Sequence, residues 1–275
     1  MENVVVLIVR AGPAGLATAA CLSQFSIPYV IVERESCSAS LWCNRAYDRL
    51  KLHLAKEFCK SYSGMNVLVV GSGNSGMEIA YDLVAHGANT SIVIRSPIHI
   101  MTKELIRLGM TLARRLPLNL VDNLLVMAAN FIFGDLSRYG IRRPKVGPMI
   151  HKSETGRSAV IDVGTIGLIK KGIIKVQGSI SKSMGDIVEF QCGKNISFDA
   201  IVFATGYKST TNIWLNNGES MLNGNRLPIK EYPNHWKGKN GLYCAGLGRR
   251  GLAGIAADAK NIANDIISVI GAMSG

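Results

Sequence analysis

Asn66-Val-Leu-Val-Val-Gly-Ser-Gly-Asn-Ser-Gly-Met-Glu-Ile-Ala-Tyr-Asp-Leu-Val-Ala85 joins a β-branched run, a glycine-rich turn and a helix with apolar residues at three-to-four spacing. Gly71 permits a tight turn. Gly73 lets backbone approach a pyrophosphate, and Gly76 lets the helix pack close to the strand. The helix start then offers free N–H groups and a positive dipole end to phosphates. A further strand, Thr90–Arg95, follows. Strand, glycine turn, helix and strand in that order predict a parallel dinucleotide-binding unit.

The pattern occurs twice. Val4–Ser23 matches Asn66–Ala85, with Gly12 opposite Gly73 and Gly15 opposite Gly76, and Tyr29–Arg34 supplies the next strand. Two such units predict an α/β protein with two Rossmann-like dinucleotide-binding units. The residue closing the second strand selects the nucleotide. Glu33 would accept hydrogen bonds from ribose hydroxyls, which suits FAD or NAD. The other unit ends on Arg95, whose guanidinium can pair with the 2′-phosphate of NADPH. The first turn departs from the pattern, because Arg10 stands where the second has Gly71.

The whole chain is consistent with this reading. Its 275 residues suit one large or two ordinary domains, and 48% hydrophobic residues can build a core. The net charge of +12 is spread over Lys103–Arg115, Arg138–Lys152, Lys170–Lys182 and Arg226–Arg250. No nucleic-acid motif accompanies it, so a generic basic surface and phosphate-bearing cofactors are expected, with no nucleic-acid partner. None of the six cysteines forms a C-x-x-C pair, no histidine stands at zinc spacing, and reduced cytoplasmic thiols are expected. Val4–Val9 is too short and lacks the basic flank of a signal peptide.

Five segments extend the pattern: Val4–Ser23, Ser40–Cys59, Gly71–Gly76, Phe203–Tyr207 and Gly241–Gly254. Together they resemble the plant YUCCA-type flavin-containing monooxygenases. That resemblance implies NADPH- and FAD-dependent oxygenation of indole-3-pyruvate to the auxin indole-3-acetate. It implies cofactor contacts at Gly12, Gly15, Glu33, Gly71, Gly73, Gly76, Arg95, Gly206, Gly246 and Gly251. It assigns no catalytic residue and no metal. Tyr47 and His53 face the flavin or pack as buried residues. The resemblance also implies cytoplasmic location, with or without contact to the endoplasmic reticulum.

A continuation is missing. Cys59–Gly64 runs directly into the second unit, and the family's F-x-G-x-x-x-H motif has no counterpart. The expected layout is an incomplete flavin domain, 1–64 plus 208–275, around an NADPH domain, 65–207. Leu242–Gly246 reads as a strand, and Gly246–Gly254 opens a helix through about Ser268. Leu116–Phe133, after Arg114-Arg115, reads as a buried or groove-lining helix, with membrane contact less favoured. Two alternatives stay open: a disulfide or quinone reductase, which a redox cysteine pair would favour, and an impaired remnant that binds NADPH or a partner only.

Overall fold

The structure, a computed structural model, describes residues 5–40, 43, 59–206, 211–216, 218–224, 227–248 and 250–273. Tyr47, His53 and Tyr207 lie outside the described residues. The chain forms two compact units, 1–45 with 207–275, and 46–206. The first boundary falls at 45/46 rather than 64/65, because Cys59 and Tyr62 pack into the second unit's core.

In the first unit β1 (Val6–Val9) leads through the turn to α1 (Pro13–Gln24) and then β2 (Tyr29–Val32). The strands pair in parallel, from Val6 with Tyr29 to Val9 with Val32. Pro13 starts α1 because its fixed φ suits a helix start and its missing N–H is not needed there. Ile8, Ala19 and Leu22 pack with Ile262, Ala263 and Ile266 of the C-terminal helix, Gly251–Met273, which runs past the expected Ser268. The opposite face of this two-stranded sheet shows Leu7, Val9, Val30 and Val32 to solvent. Parallel sheets usually bury both faces, and among the described residues no layer covers this one.

Leu242–Gly246 is not a strand of that sheet. Tyr243 makes one antiparallel bridge to Lys237, and the Cys244 N–H donates to the Trp236 carbonyl at 3.0 Å. The backbone is turned toward its own preceding segment, so it does not pair with β1.

The second unit is more complete. It runs β3 (Asn66–Val70), α2 (Asn74–Ala85), β4 (Asn89–Val93), β5 (Ile100–Met101), α3 (Lys103–Leu112), α4 (Leu118–Phe133), α5 (Pro148–Thr155), β6 (Val160–Ile161), α6 (Thr165–Lys170) and β7 (Lys175–Gln177). It ends with β8 (Ile180–Met184), β9 (Ile187–Phe190), β10 (Asn195–Ser197) and β11 (Ala200–Phe203). A parallel sheet has the order β11-β3-β4-β7. Side chains alternate across β3. Val67 and Val69 join the core with Met77, Ala80 and Leu83 of α2. Leu68 meets Val188, Phe190 and Phe198 of the antiparallel β8–β10 meander on the other face. Buried Asp122 on α4 accepts the Met149 and Ile150 N–H groups at 2.8 and 3.0 Å, capping α5.

Candidate cofactor sites

The two glycine turns share one backbone geometry. Gly12 has φ −79° and ψ −178°, and Gly73 has φ −73° and ψ −176°. At each, an added Cβ would meet nothing within 4 Å, so the turn is open on the side a phosphate would occupy. A Cβ on Gly15 would lie 2.0 Å from the Arg10 carbonyl oxygen, and one on Gly76 would lie 1.9 Å from that of Gly71. The third glycine is therefore required by the turn's own first carbonyl. Both turns pass the steric test for a pyrophosphate.

Arg10 does not change that geometry. It sits at φ +83°, where Gly71 sits at φ +118°. An L-residue in this region costs about 1–2 kcal/mol, so the first turn carries strain the second lacks. Gly71 has a further constraint, since its Cβ would come within 2.4 Å of the Ala204 carbonyl oxygen. The segment from Ala204 to Gly206, with Gly206 at φ +82°, thus adjoins the second turn.

The strand ends differ in a way that pairing reveals. Val9 lies opposite Val32, and Val70 opposite Val93, so the residue matching Glu33 is Ile94, not Arg95. Ile94 is buried in the core. The acid is thus replaced by an apolar residue, and exposed Arg95 follows one position later, in register with Arg34. Glu33 accepts the Ala11 N–H at 2.8 Å through Oε2, and the Arg34 and Glu35 N–H groups at 2.8 and 3.1 Å through Oε1. The Ala11 N–H above all holds its carboxyl below the usual range, with the Glu35 amide next. Oε2 keeps a lone pair for one ribose hydroxyl.

Arg95→Asp is expected to weaken NADPH by about 2 kcal/mol, roughly 30-fold in Kd, while leaving NADH affected far less. Calorimetric titration of both nucleotides checks this. Equal losses for the two would remove Arg95 from 2′-phosphate recognition.

Gly246 and Gly251, at φ +89° and +64°, frame the entrance to the C-terminal helix, and Gly246 lies beside Ala14 of α1. Sequence reading missed what holds this entrance. Asp258 accepts the Gly246 N–H at 2.9 Å and meets His235 Nε2 at 3.1 Å, with both side chains almost fully buried. Tyr232 stacks on His235, and the Arg250 guanidinium lies 3.6 Å over the Tyr232 ring. These residues line a cavity of about 160 Å³. His235 and Asp258 are too far apart in sequence for a local pattern to link them. None of the six cysteines is disulfide-bonded, and burial pushes the Cys59 and Cys244 thiols up to about 11.

Residues 51–246 match the family described as FMO-like, flavin-binding monooxygenase-like. The chain is 39% identical to the probable indole-3-pyruvate monooxygenase YUCCA10 of Arabidopsis thaliana, covering 98% of each chain. It is 33% identical to the indole-3-pyruvate monooxygenase YUCCA1 of Oryza sativa subsp. japonica, covering 94% of this chain and 90% of that one. The YUCCA10 alignment runs over 378 positions for a chain of 275 residues, so no fewer than 103 positions face no residue here. Among solved structures, the flavin-containing monooxygenase of Stenotrophomonas maltophilia aligns with a TM-score of 0.65 at 11% identity, covering 98% of this chain and 100% of that one. OTEMO in complex with FAD and NADP gives 0.62 at 8% identity, covering 99% and 84%. These two show a shared fold.

Proposed function

The chain belongs to the flavin-binding monooxygenase-like family, and from that premise we propose that it oxidises indole-3-pyruvate to indole-3-acetate with NADPH, FAD and dioxygen. The observation that carries this reading is the pair of glycine turns with matching backbone geometry, set on different strand ends. A retained carboxylate on one and a lost one on the other suit two dinucleotides that differ at the ribose.

In this reading the second turn holds the NADPH pyrophosphate at Gly71, Gly73 and Gly76, with Arg95 meeting the 2′-phosphate. The first turn holds the FAD pyrophosphate at Gly12 and Gly15, and Glu33 takes one ribose hydroxyl. Bound flavin supplies two-electron transfer and oxygen activation. The protein's part is to orient and to exclude water. Asp258, by gripping Gly246, fixes the glycine turn that adjoins α1. Gly206 closes the segment beside Gly71. Lone buried Cys59 suits a reducing, cytoplasmic setting. No described helix is long and apolar enough to cross a membrane, so contact with the endoplasmic reticulum would use the protein surface.

The test is product formation in air from indole-3-pyruvate, NADPH and added FAD, with catalase present. Free hydrogen peroxide decarboxylates 2-oxo acids without an enzyme, and catalase removes that route. Indole-3-acetate forming in step with NADPH consumed is the expected result. NADPH binding without any indole-3-acetate would leave the chain a nucleotide-binding remnant.

A further inference from the structure

Helix α4 is apolar on two sides. Val121, Leu125, Ala129 and Phe133 face the core of the second unit. Leu120, Leu124, Met127 and Phe131 form a second stripe that faces solvent, with Phe131 92% and Met127 64% exposed. Between the stripes runs a narrow polar strip of Asn119, Asn123 and Asn130, and the helix's single charge, Asp122, is buried. A helix apolar nearly all round is normally buried or set in lipid.

The exposed stripe is one wall of a groove. Leu108 and Leu112 of α3 form the other wall, and the groove has a volume of about 480 Å³. Arg114 and Arg115 stand exposed in the connection between α3 and α4, and Arg142 and Lys145 stand exposed after it, while Arg138 pairs with Asp135 at 3.7 Å. Residues 103–145 hold eight Lys and Arg against three Asp and Glu, so this segment carries +5 of the chain's +12. Naked apolar side chains flanked by cations match an interface whose surface is anionic and whose interior is hydrocarbon.

We propose that the outward stripe of α4 docks on an anionic phospholipid bilayer, lying in the headgroup region with Phe131 and Met127 in the acyl boundary. The cations before and after α4 meet the lipid phosphates. The contact is peripheral and reversible, and salt weakens it. It does not rest on the enzymatic reading, because the groove shares no residue with the glycine turns.

Flotation of the full chain with vesicles tests the proposal. Phosphatidylcholine vesicles are compared with vesicles holding 30% phosphatidylserine, at low and high salt. Binding at least about tenfold stronger to the anionic vesicles, and weakened by salt, is expected. Phe131→Asp with Met127→Asp should abolish flotation. Both side chains are exposed, so circular dichroism and the melting temperature should match the parent. Arg114→Ser with Arg115→Ser should cost the preference for anionic vesicles. A Phe131→Trp probe should shift its emission to the blue on the same vesicles. Three results would each overturn the proposal: no flotation at any composition, flotation indifferent to the Phe131 and Met127 changes, or dimers in sedimentation that the double Asp variant dissociates without any lipid binding.

Discussion

Gly76→Ala is expected to abolish NADPH binding and to destabilise the second unit, while Gly73→Ala abolishes binding alone. A methyl on Gly76 must occupy space 1.9 Å from the Gly71 carbonyl oxygen, which is backbone and cannot swing aside. Helix α2 would have to back away from β3, and overpacking of this kind costs about 3 kcal/mol. At roughly 1.4 kcal/mol per tenfold, NADPH affinity falls about 100-fold or more. Gly73 presents the opposite case. Its φ of −73° suits alanine, and its Cβ would stand in open space. The fold should therefore keep its melting temperature while the methyl blocks the approaching pyrophosphate. Thermal unfolding and NADPH titration of the two variants check this. Equal destabilisation by both would mean that the turn's openness at Gly73 is not a ligand space.

Arg10→Gly is expected to stabilise the protein by about 1 kcal/mol yet leave FAD weakly held. The gain comes from relieving an L-residue at φ +83°, reduced by the greater chain entropy of glycine. The turn itself already has the geometry of its partner, so little remains to repair there. What limits the flavin is the two-stranded sheet, whose outer face shows Leu7, Val9, Val30 and Val32. A unit with only two strands among its described residues buries too little surface to order a cofactor pocket. Reinserting the family's absent segment, with Arg10 kept, should raise FAD affinity about tenfold or more. Flavin retained on gel filtration, compared across parent, Arg10→Gly and the reinserted chain, decides the matter. Full retention in the Arg10→Gly protein would show that the turn, not the sheet, is the defect.

The glycine turns were legible because their requirement is local. Gly12, Gly15, Gly73 and Gly76 lie at fixed offsets within one strand–helix joint, and the backbone alone dictates them. Glu33 was legible for the same reason, although its three backbone partners were not. The offset that sets Gly12 against Gly73 also sets Ile94 against Glu33, and the strand pairing keeps that register, with Arg95 one position further on. Leu242–Gly246 reads as a strand from its own residues, but a strand needs a partner edge, and here its backbone turns to Trp236 and Lys237. His235 and Asp258 meet only through the packing of the C-terminal helix. The two stripes of α4 carry the same residue types, so only the fold separates core from surface.

The first unit keeps its phosphate turn on a sheet of only two described strands, too small to hold flavin tightly. Fluorescence titration of FAD with the purified parent chain tests it most directly. The predicted result is a colourless protein that binds added FAD saturably, one per chain, with a Kd in the micromolar range or weaker, roughly −8 kcal/mol. Stoichiometric flavin already bound on purification, or no saturable binding at any concentration, would contradict it.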